Sequence, residues 1–194
     1  AAICALQAAQ EQGLLTYQVT NWGFAFALDS INATVNAADW SNLWLVFQNY
    51  KDPEFGIGGF RLNPNDELLL SYGAWPSTPL LLTADTPNAD IGERMTFSVY
   101  TWNSIANVFE LFSGTATTLH INDATFDTTS GTLDWIVDTE GEKMVIAEAD
   151  GATRSAPFVF SALTIPAPQE SIPQDPIPQT QNQNGGQPDA TIAY

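Results

Sequence analysis

Short apolar runs separated by turn residues at regular intervals constrain the fold of this chain most strongly. From about residue 80 onward, the dipeptides Asn122-Asp123, Ser130-Gly131 and Asp150-Gly151 separate runs rich in β-branched and aromatic residues. Many short strands with turn residues between them are typical of a β-sandwich. We therefore predict strands over Leu80–Ala84, Arg94–Trp102, Thr117–Ile121, Thr132–Val137, Lys143–Ala149 and Phe158–Leu163.

The first part of the chain has a different pattern. A run of good helix formers over 1–12 predicts a short helix, which Gly13 ends at the position where glycine commonly takes a left-handed conformation. Asn63-Pro64-Asn65-Asp66 predicts a turn, because proline presets φ and Asn or Asp side chains bond their own backbone. The apolar runs predict strands over 14–20, 24–33, 43–49 and 67–72, with the last two forming a pair.

The charge balance excludes several classes of partner. Five Lys and Arg residues against 22 Asp and Glu give a formal net charge of −17. Such a surface repels nucleic acid and anionic membranes, so we expect neither as a partner. Only 14% of the residues are charged, and the neutral polar residues that remain are typical of secreted and cell-surface proteins. No apolar run approaches the roughly 18 residues of a membrane-spanning helix.

The first residue is Ala rather than Met. This favours an exported chain that has been processed, and we expect an extracellular or cell-surface location.

The supply of catalytic residues is small. Cys4 is the only cysteine and His120 the only histidine, so neither an internal disulfide nor a cysteine-based zinc site can form. We predict that Cys4 is a buried, inert thiol, with an intermolecular disulfide as the alternative, and that His120 is an ordinary strand residue. We expect no catalytic residue, cofactor or metal. Calcium held by turn carboxylates is an open alternative, at Asn122-Asp123 with Asp127, or at Asp85 with Asp90.

Two tryptophans and one asparagine are candidate surface sites. Trp40 and Trp75 lie in predicted loops, where an exposed indole ring serves an interface or stacks on a ligand ring. Asn32-Ala33-Thr34 is a glycosylation sequon, and Asn32 is its possible N-glycosylation site.

The C-terminal residues 165–194 contain six of the 12 prolines together with many Gln and Asn residues. Such a segment is extended and polyproline-like, and it cannot bury enough apolar surface to fold by itself. Its last six residues are the most strand-like, and we predict that they form a subunit interface: Asp189, Ala190, Thr191, Ile192, Ala193 and Tyr194.

Together these patterns predict a mostly β protein. A small β-grasp-like α+β module over 1–74 is followed by a hinge over 75–79. An Ig-like β-sandwich follows over 80–164, and an extended Pro/Gln/Asn-rich tail over 165–194.

The first module resembles the transcobalamin-like C-terminal domain, a β-grasp-type family of bacterial surface proteins and vertebrate cobalamin carriers. The resemblance covers residues 5–73 and rests on the segments ALQAA, GLLTYQV, GFAFALDSIN, WLVFQN and FRLNPNDELLLSYG. That family has a strand before the helix, whereas this chain starts at the helix, so we expect an unpaired sheet edge. Residues 80–163 resemble a bacterial immunoglobulin-like surface domain, on the order and spacing of GTATTLHI, the Ser130-Gly131 turn and the Glu140–Gly151 hairpin.

These features predict a secreted structural subunit of a cell-surface filament or layer. Copies of the chain would assemble head to tail, with the tail of one copy docking on, and adding a strand to, the exposed sheet edge of the next. One alternative is a corrinoid-like ligand-binding module, which the resemblance implies. The other is an adhesin that binds a glycan or a host protein through Trp40, Trp75 and the Gly56–Gly59 loop.

Overall fold

A computed structural model describes residues 1–164 apart from 24, 53–55 and 60. Within these residues the chain is mostly β, with one helix and several separate sheets, as predicted. None of the described helical residues forms a helix long and apolar enough to cross a membrane. The tail over 165–194, including the predicted interface segment 189–194, lies outside the described residues.

Helix α1 spans Ala2–Glu11 and ends in a Schellman motif, in which Gly13 has φ 72°. The N–H groups of Gly13 and Leu14 donate to the carbonyls of Gln10 and Ala9 at 2.9 and 3.0 Å, which satisfies two orphan carbonyls of the last turn. The predicted role of Gly13 is confirmed. Because this cap also uses Leu14, the following strand starts three residues later than the apolar run predicts.

The prediction that Cys4 is buried is wrong, because its side chain is exposed. The helix buries Ala2 and Leu6, which are four residues apart and share one face. Cys4 is two residues from each of them, about 200° around the helix, and therefore faces solvent.

The strands of the first part form two sheets rather than one. A three-stranded antiparallel sheet has the order β1–β2–β3, and β4 pairs with β5 in a separate two-stranded sheet, which confirms the predicted strand pair. The five strands are β1 (Tyr17–Asn21), β2 (Phe26–Ile31), β3 (Thr34–Val35), β4 (Leu43–Gln48) and β5 (Leu68–Gly73). Their shared core includes the buried residues Ala2, Leu6, Leu28, Ile31 and Ile57.

The second part is a β-sandwich of two sheets. In one sheet β9 pairs with β7, β10 and β13, and the other has the order β12–β11–β14–β16–β8. Two more strands, β6 and β15, pair in parallel beside them. The bounds are β6 (Thr78–Pro79), β7 (Leu81–Ala84), β8 (Asn88–Asp90), β9 (Arg94–Asn103), β10 (Val108–Leu111), β11 (Thr117–Ile121), β12 (Ala124–Thr128), β13 (Thr132–Ile136), β14 (Gly141–Ala149), β15 (Ala152–Thr153) and β16 (Phe158–Leu163).

Inward-facing residues of both sheets meet in one core. Met95, Phe97 and Val99 alternate along β9 and are fully buried, and Leu119 and Val145 face them from the other sheet. This period of two is the pattern from which the strands were predicted. Every predicted strand of this part is present within a few residues of its predicted bounds.

The segment predicted as a hinge contains β6, which pairs with β15 near the far end of the chain. The Leu80 N–H donates to the Thr153 carbonyl at 3.1 Å, and the hydroxyls of Ser77 and Thr153 lie 2.8 Å apart. Residues just after the first part are therefore bonded to the C-terminal region of the sandwich.

Candidate functional site

The first candidate site is a groove beside β5, which we call the β5 groove. Its walls are Leu68–Gly73 on one side and residues 151–157 on the other, and its volume is about 860 Å³. β5 pairs only with β4, so among the described residues its outer edge has no partner strand. The edge that the resemblance predicts, left in one β-grasp sheet by a missing strand before the helix, stays a prediction, because the strands here form two separate sheets.

The register of the β4–β5 pair shows which backbone groups of β5 face the groove. The Asn49 N–H donates to the Glu67 carbonyl at 2.9 Å, one step beyond the Gln48–Leu68 pair. Hydrogen-bonded pairs recur every second residue in an antiparallel ladder. The N–H and C=O groups of Leu68, Leu70 and Tyr72 therefore point away from β4, into the groove.

Side-chain contacts hold this edge strand in place. The Trp44 and Tyr72 rings lie opposite each other with centroids 5.5 Å apart. The Trp44 indole N–H and the Tyr72 hydroxyl donate to the carbonyls of Thr34 and Val35, both at 3.0 Å. These bonds tie β4 and β5 to β3.

The second candidate site is an apolar cleft of about 460 Å³, which we call the tryptophan cleft. Trp22, Trp40 and Trp75 line it, although each leaves half or more of its surface exposed. The Trp22 and Trp40 rings are 6.0 Å apart in an edge-to-face arrangement. The structure therefore brings together the two tryptophans singled out in the sequence, Trp40 and Trp75, beside Gly56 of the Gly-rich loop.

A tight turn presents Trp40 to the cleft. Its backbone has φ 63°, and its N–H donates to the Ala37 carbonyl at 2.9 Å. The neighbouring Asp39 carboxylate accepts the Ser41 hydroxyl at 2.7 Å and the Ser41 N–H at 3.1 Å, and these two bonds lower the pKa of Asp39. The Gly-rich loop approaches closely, because a Cβ on Gly56 would lie 2.6 Å from the Phe26 carbonyl oxygen.

Asp52 supplies the only carboxylate among the described residues that line the tryptophan cleft. Burial raises its pKa, and within the described residues its side chain makes no ion pair. The Asn36 amide, also in the cleft, is already used: its Nδ2 donates to the Leu28 carbonyl at 2.9 Å and its Oδ1 accepts the Trp44 N–H at 2.7 Å.

Asn32 lies in the exposed turn between β2 and β3, with φ 51°. Its Oδ1 accepts the Thr16 N–H at 2.9 Å, whereas its Nδ2, the atom that would carry a glycan, makes no hydrogen bond within the described part of the chain. Glycosylation at Asn32 stays a prediction.

The residues considered for chemistry have structural contacts. His120 lies in β11, as predicted, with its Nε2 3.3 Å from a carboxylate oxygen of Glu148. Asp127 accepts the Thr118 hydroxyl at 2.7 Å, and Asp85 accepts the Thr96 N–H at 3.0 Å. In the described ranges, no group of three or more His, Cys, Asp or Glu residues is placed to hold a metal ion.

Two features of these sites have no clear signal in the sequence. Residues 151–157, which form one wall of the β5 groove, lie about 80 residues after β5 in the sequence. Nothing in their composition predicts that they face that strand. Asp52 has the local pattern of a surface acid, and only the fold places it among the tryptophans.

The described part of the chain is thus mostly β and has two concave surfaces, a strand-edge groove and an aromatic cleft. No protein-family model matches the chain, and no curated protein matches it. Its function is therefore inferred from its own geometry.

Proposed function

We propose that this chain is a secreted structural subunit of a cell-surface filament or layer, in which the C-terminal tail of one copy adds a strand to β5 of the next. The observation that supports this most directly is the outer edge of β5, which no described strand pairs and which forms one wall of the β5 groove.

An added strand would satisfy the free backbone groups of β5. It would lie about 4.8 Å from β5 and exchange hydrogen bonds with Leu68, Leu70 and Tyr72. An unpaired edge is also an aggregation hazard, which a dedicated partner removes. The six residues of β5 match a donor segment of six residues, the length of 189–194.

The tail has a suitable composition for such a donor. Residues 165–188 are rich in proline and amide side chains, and as polyproline II they would span roughly 75 Å at 3.1 Å per residue. Thr191, Ile192 and Tyr194 are β-branched or aromatic residues, which are enriched in strands. A contact between a tail and a groove joins different surfaces of two copies, so it propagates into a filament unless it closes into a ring.

Deletion of residues 165–194 tests the proposal directly. The full chain should form filaments, sheets or rings in electron micrographs, and the truncated chain should remain monomeric by light scattering. If the truncated chain assembles as the full chain does, the tail is not the connector.

A synthetic peptide of residues 186–194 tests strand addition separately from any other tail contact. Added to the full chain, the peptide should occupy the β5 groove and shorten the assemblies. Two further peptides are N-methylated, one at the odd-numbered and one at the even-numbered residues. The peptide whose methyl groups replace the N–H groups that donate to β5 should lose the effect, and the other should act as the unmodified peptide does, because only alternate residues donate to β5. Equal effects of both sets would contradict strand addition.

A matched pair of groove variants completes the test. Ala156 is half-buried in the wall of the groove, and Ala124 is exposed at the start of β12. Ala156→Trp should fill the groove and reduce assembly at least about tenfold, whereas Ala124→Trp should assemble normally. The circular dichroism spectrum of each variant checks that it is folded.

A further inference from the structure

Three separate chain segments bring Trp22, Trp40 and Trp75 to one cleft. These residues are 50, 54 and 60% exposed, although tryptophan is highly buried on average. Exposed apolar residues scattered singly need no explanation, but a concave cluster of them commonly marks a binding site. No described residue of β5 lines the tryptophan cleft, and Trp44 is the one described residue that lines both this cleft and the β5 groove of the strand-addition proposal.

The polar groups of the cleft restrict its ligand. Asn36 has its amide committed to backbone groups on both sides. Asp52 contributes a carboxylate that no described residue neutralises. The described residues of the cleft therefore offer aromatic rings and one carboxylate, and few hydrogen-bonding groups.

This combination favours one ligand chemistry over two others. An anion would be repelled by Asp52 and by the net charge of −17. A neutral sugar would bury hydroxyl groups for which the cleft has few partners, and unsatisfied buried hydroxyls reduce affinity. A cation without N–H donors needs no hydrogen bonds, because it is attracted to the negative faces of indole rings.

The chain already holds one cation in this way. Lys51, next to Asp52 in sequence, places its Nζ 3.5 Å from the centroid of the Trp102 ring and 5.8 Å from that of Phe109. A cation over a tryptophan face is therefore a contact that this fold uses elsewhere.

We propose that the tryptophan cleft binds a quaternary ammonium group, held by the faces of Trp22, Trp40 and Trp75 and by the carboxylate of Asp52. The group comes either from a soluble compound such as choline or from a choline lipid headgroup. A cleft of about 460 Å³ accommodates a trimethylammonium group and leaves room for the atoms attached to it.

Titration of the full chain with choline and with its neutral isostere, 3,3-dimethylbutan-1-ol, tests the proposal. The two compounds have the same shape and differ by one positive charge. Tryptophan fluorescence and calorimetry should show choline binding at least about tenfold tighter. Equal affinities would show a merely apolar cleft and overturn the proposal, as would no binding of choline.

Variants locate the site. Trp40→Ala, Trp75→Ala and Asp52→Asn should each weaken choline binding by about tenfold or more, and Ile105→Ala should have no effect, since Ile105 is 97% exposed and does not line the cleft. If Trp40→Ala is unfolded, Trp40→Phe retains an aromatic face and should show an intermediate loss. Unchanged binding in the folded Trp40 and Trp75 variants overturns the proposal.

Vesicles distinguish the two sources of the group. Sedimentation of the full chain with phosphatidylcholine vesicles, but not with phosphatidylglycerol vesicles, identifies a lipid headgroup as the source. Binding of free choline without sedimentation identifies a soluble compound. Because the truncation and peptide experiments do not involve this cleft, failure of either proposal leaves the other intact.

Discussion

At the scale of single residues, Asp66 organises the turn that starts β5. Its carboxylate accepts the Gln48 and Asn49 side-chain amides and the Asn63 N–H, each at 2.7 Å, and the Asn63 amide at 3.3 Å. These bonds, led by the one from Asn49, favour the ionised carboxylate and lower its pKa below the ordinary value. The Asn-Pro-Asn-Asp pattern predicted the turn, but not that the Asp side chain joins it to the end of β4.

The lowered pKa predicts a pH-dependent stability. A carboxyl group whose pKa is lower in the folded state stabilises the fold above its unfolded pKa of about 3.9, and this contribution is lost as the pH falls through the folded value. Asp66→Asn should therefore lower the Tm at pH 7, and the difference from the native chain should shrink below about pH 4.

Asp123→Asn is the matched control for this prediction. It removes the same charge from an exposed turn, and within the described part of the chain the Asp123 side chain accepts no hydrogen bond. Its Tm should stay close to that of the native chain at both pH values. A pH-independent loss in Asp66→Asn would show that the carboxylate charge is not what stabilises the turn.

At the scale of elements, three strands are each followed by an asparagine that makes the same pair of hydrogen bonds. Asn32, Asn49 and Asn122 directly follow β2, β4 and β11, with φ between 50° and 52°. Each donates its N–H to the carbonyl of a residue on an adjacent segment and accepts that residue's N–H with its Oδ1. The side-chain amide continues the ladder where the backbone has turned away, which helps to set the register.

Substitution of Asn122 separates the contribution of its side-chain hydrogen bond from that of its left-handed backbone. Asn122→Gly keeps the left-handed backbone and loses one hydrogen bond, so it should cost about 1 kcal/mol of unfolding free energy. Asn122→Ala adds backbone strain and should cost about 2 to 3 kcal/mol in total.

Chemical denaturation measures both changes, with Asp123→Ala as the control in the same turn, expected within about 0.5 kcal/mol of the native chain. If glycine costs as much as alanine, the left-handed conformation is not what makes asparagine necessary at this position.

Three of the strands that were not predicted share a physical reason. β8, β10 and β12 are short or lie beside longer strands, and their exposed residues include Asn88, Glu110 and Asp127. Their strand conformation comes from pairing with β16, β9 and β11 rather than from an apolar run of their own. Propensity reflects packing and is weak evidence at such positions.

At the scale of the whole molecule, the few cations of an acidic chain have specific positions. Lys51 of the first part stacks on Trp102 of the sandwich. Lys143 is buried and donates to the Thr139 hydroxyl at 2.6 Å, while Arg94 and Arg154 lie 3.5 and 3.4 Å from the carboxylates of Asp134 and Glu148. Carboxylates elsewhere bond threonine hydroxyls, as Asp29 does with Thr20 at 2.7 Å.

The Lys51–Trp102 contact should help to hold the two parts together. Lys51→Met keeps the aliphatic packing and removes the charge, and it should lower the free energy of unfolding by about 0.5 to 2 kcal/mol. Arg61→Met, at an exposed position with no ion pair among the described residues, should change it by less than about 0.5 kcal/mol.

Denaturant unfolding monitored by tryptophan fluorescence measures both variants of this pair. A Lys51→Met variant as stable as Arg61→Met would mean that the charge of Lys51 does not help to hold the two parts together.

The sequence by itself determined the mostly β fold, the single short helix with its glycine cap, the sandwich strands and the Asn63–Asp66 turn. These features depend on residues a few positions apart, whose periodicity and backbone preferences are readable locally. Only the tertiary structure decided that β4 and β5 form their own sheet, that 151–157 faces the outer edge of β5, and that Asp52 lines a cleft with four tryptophans. Those arrangements depend on which distant segments pack together, and local patterns do not specify that choice.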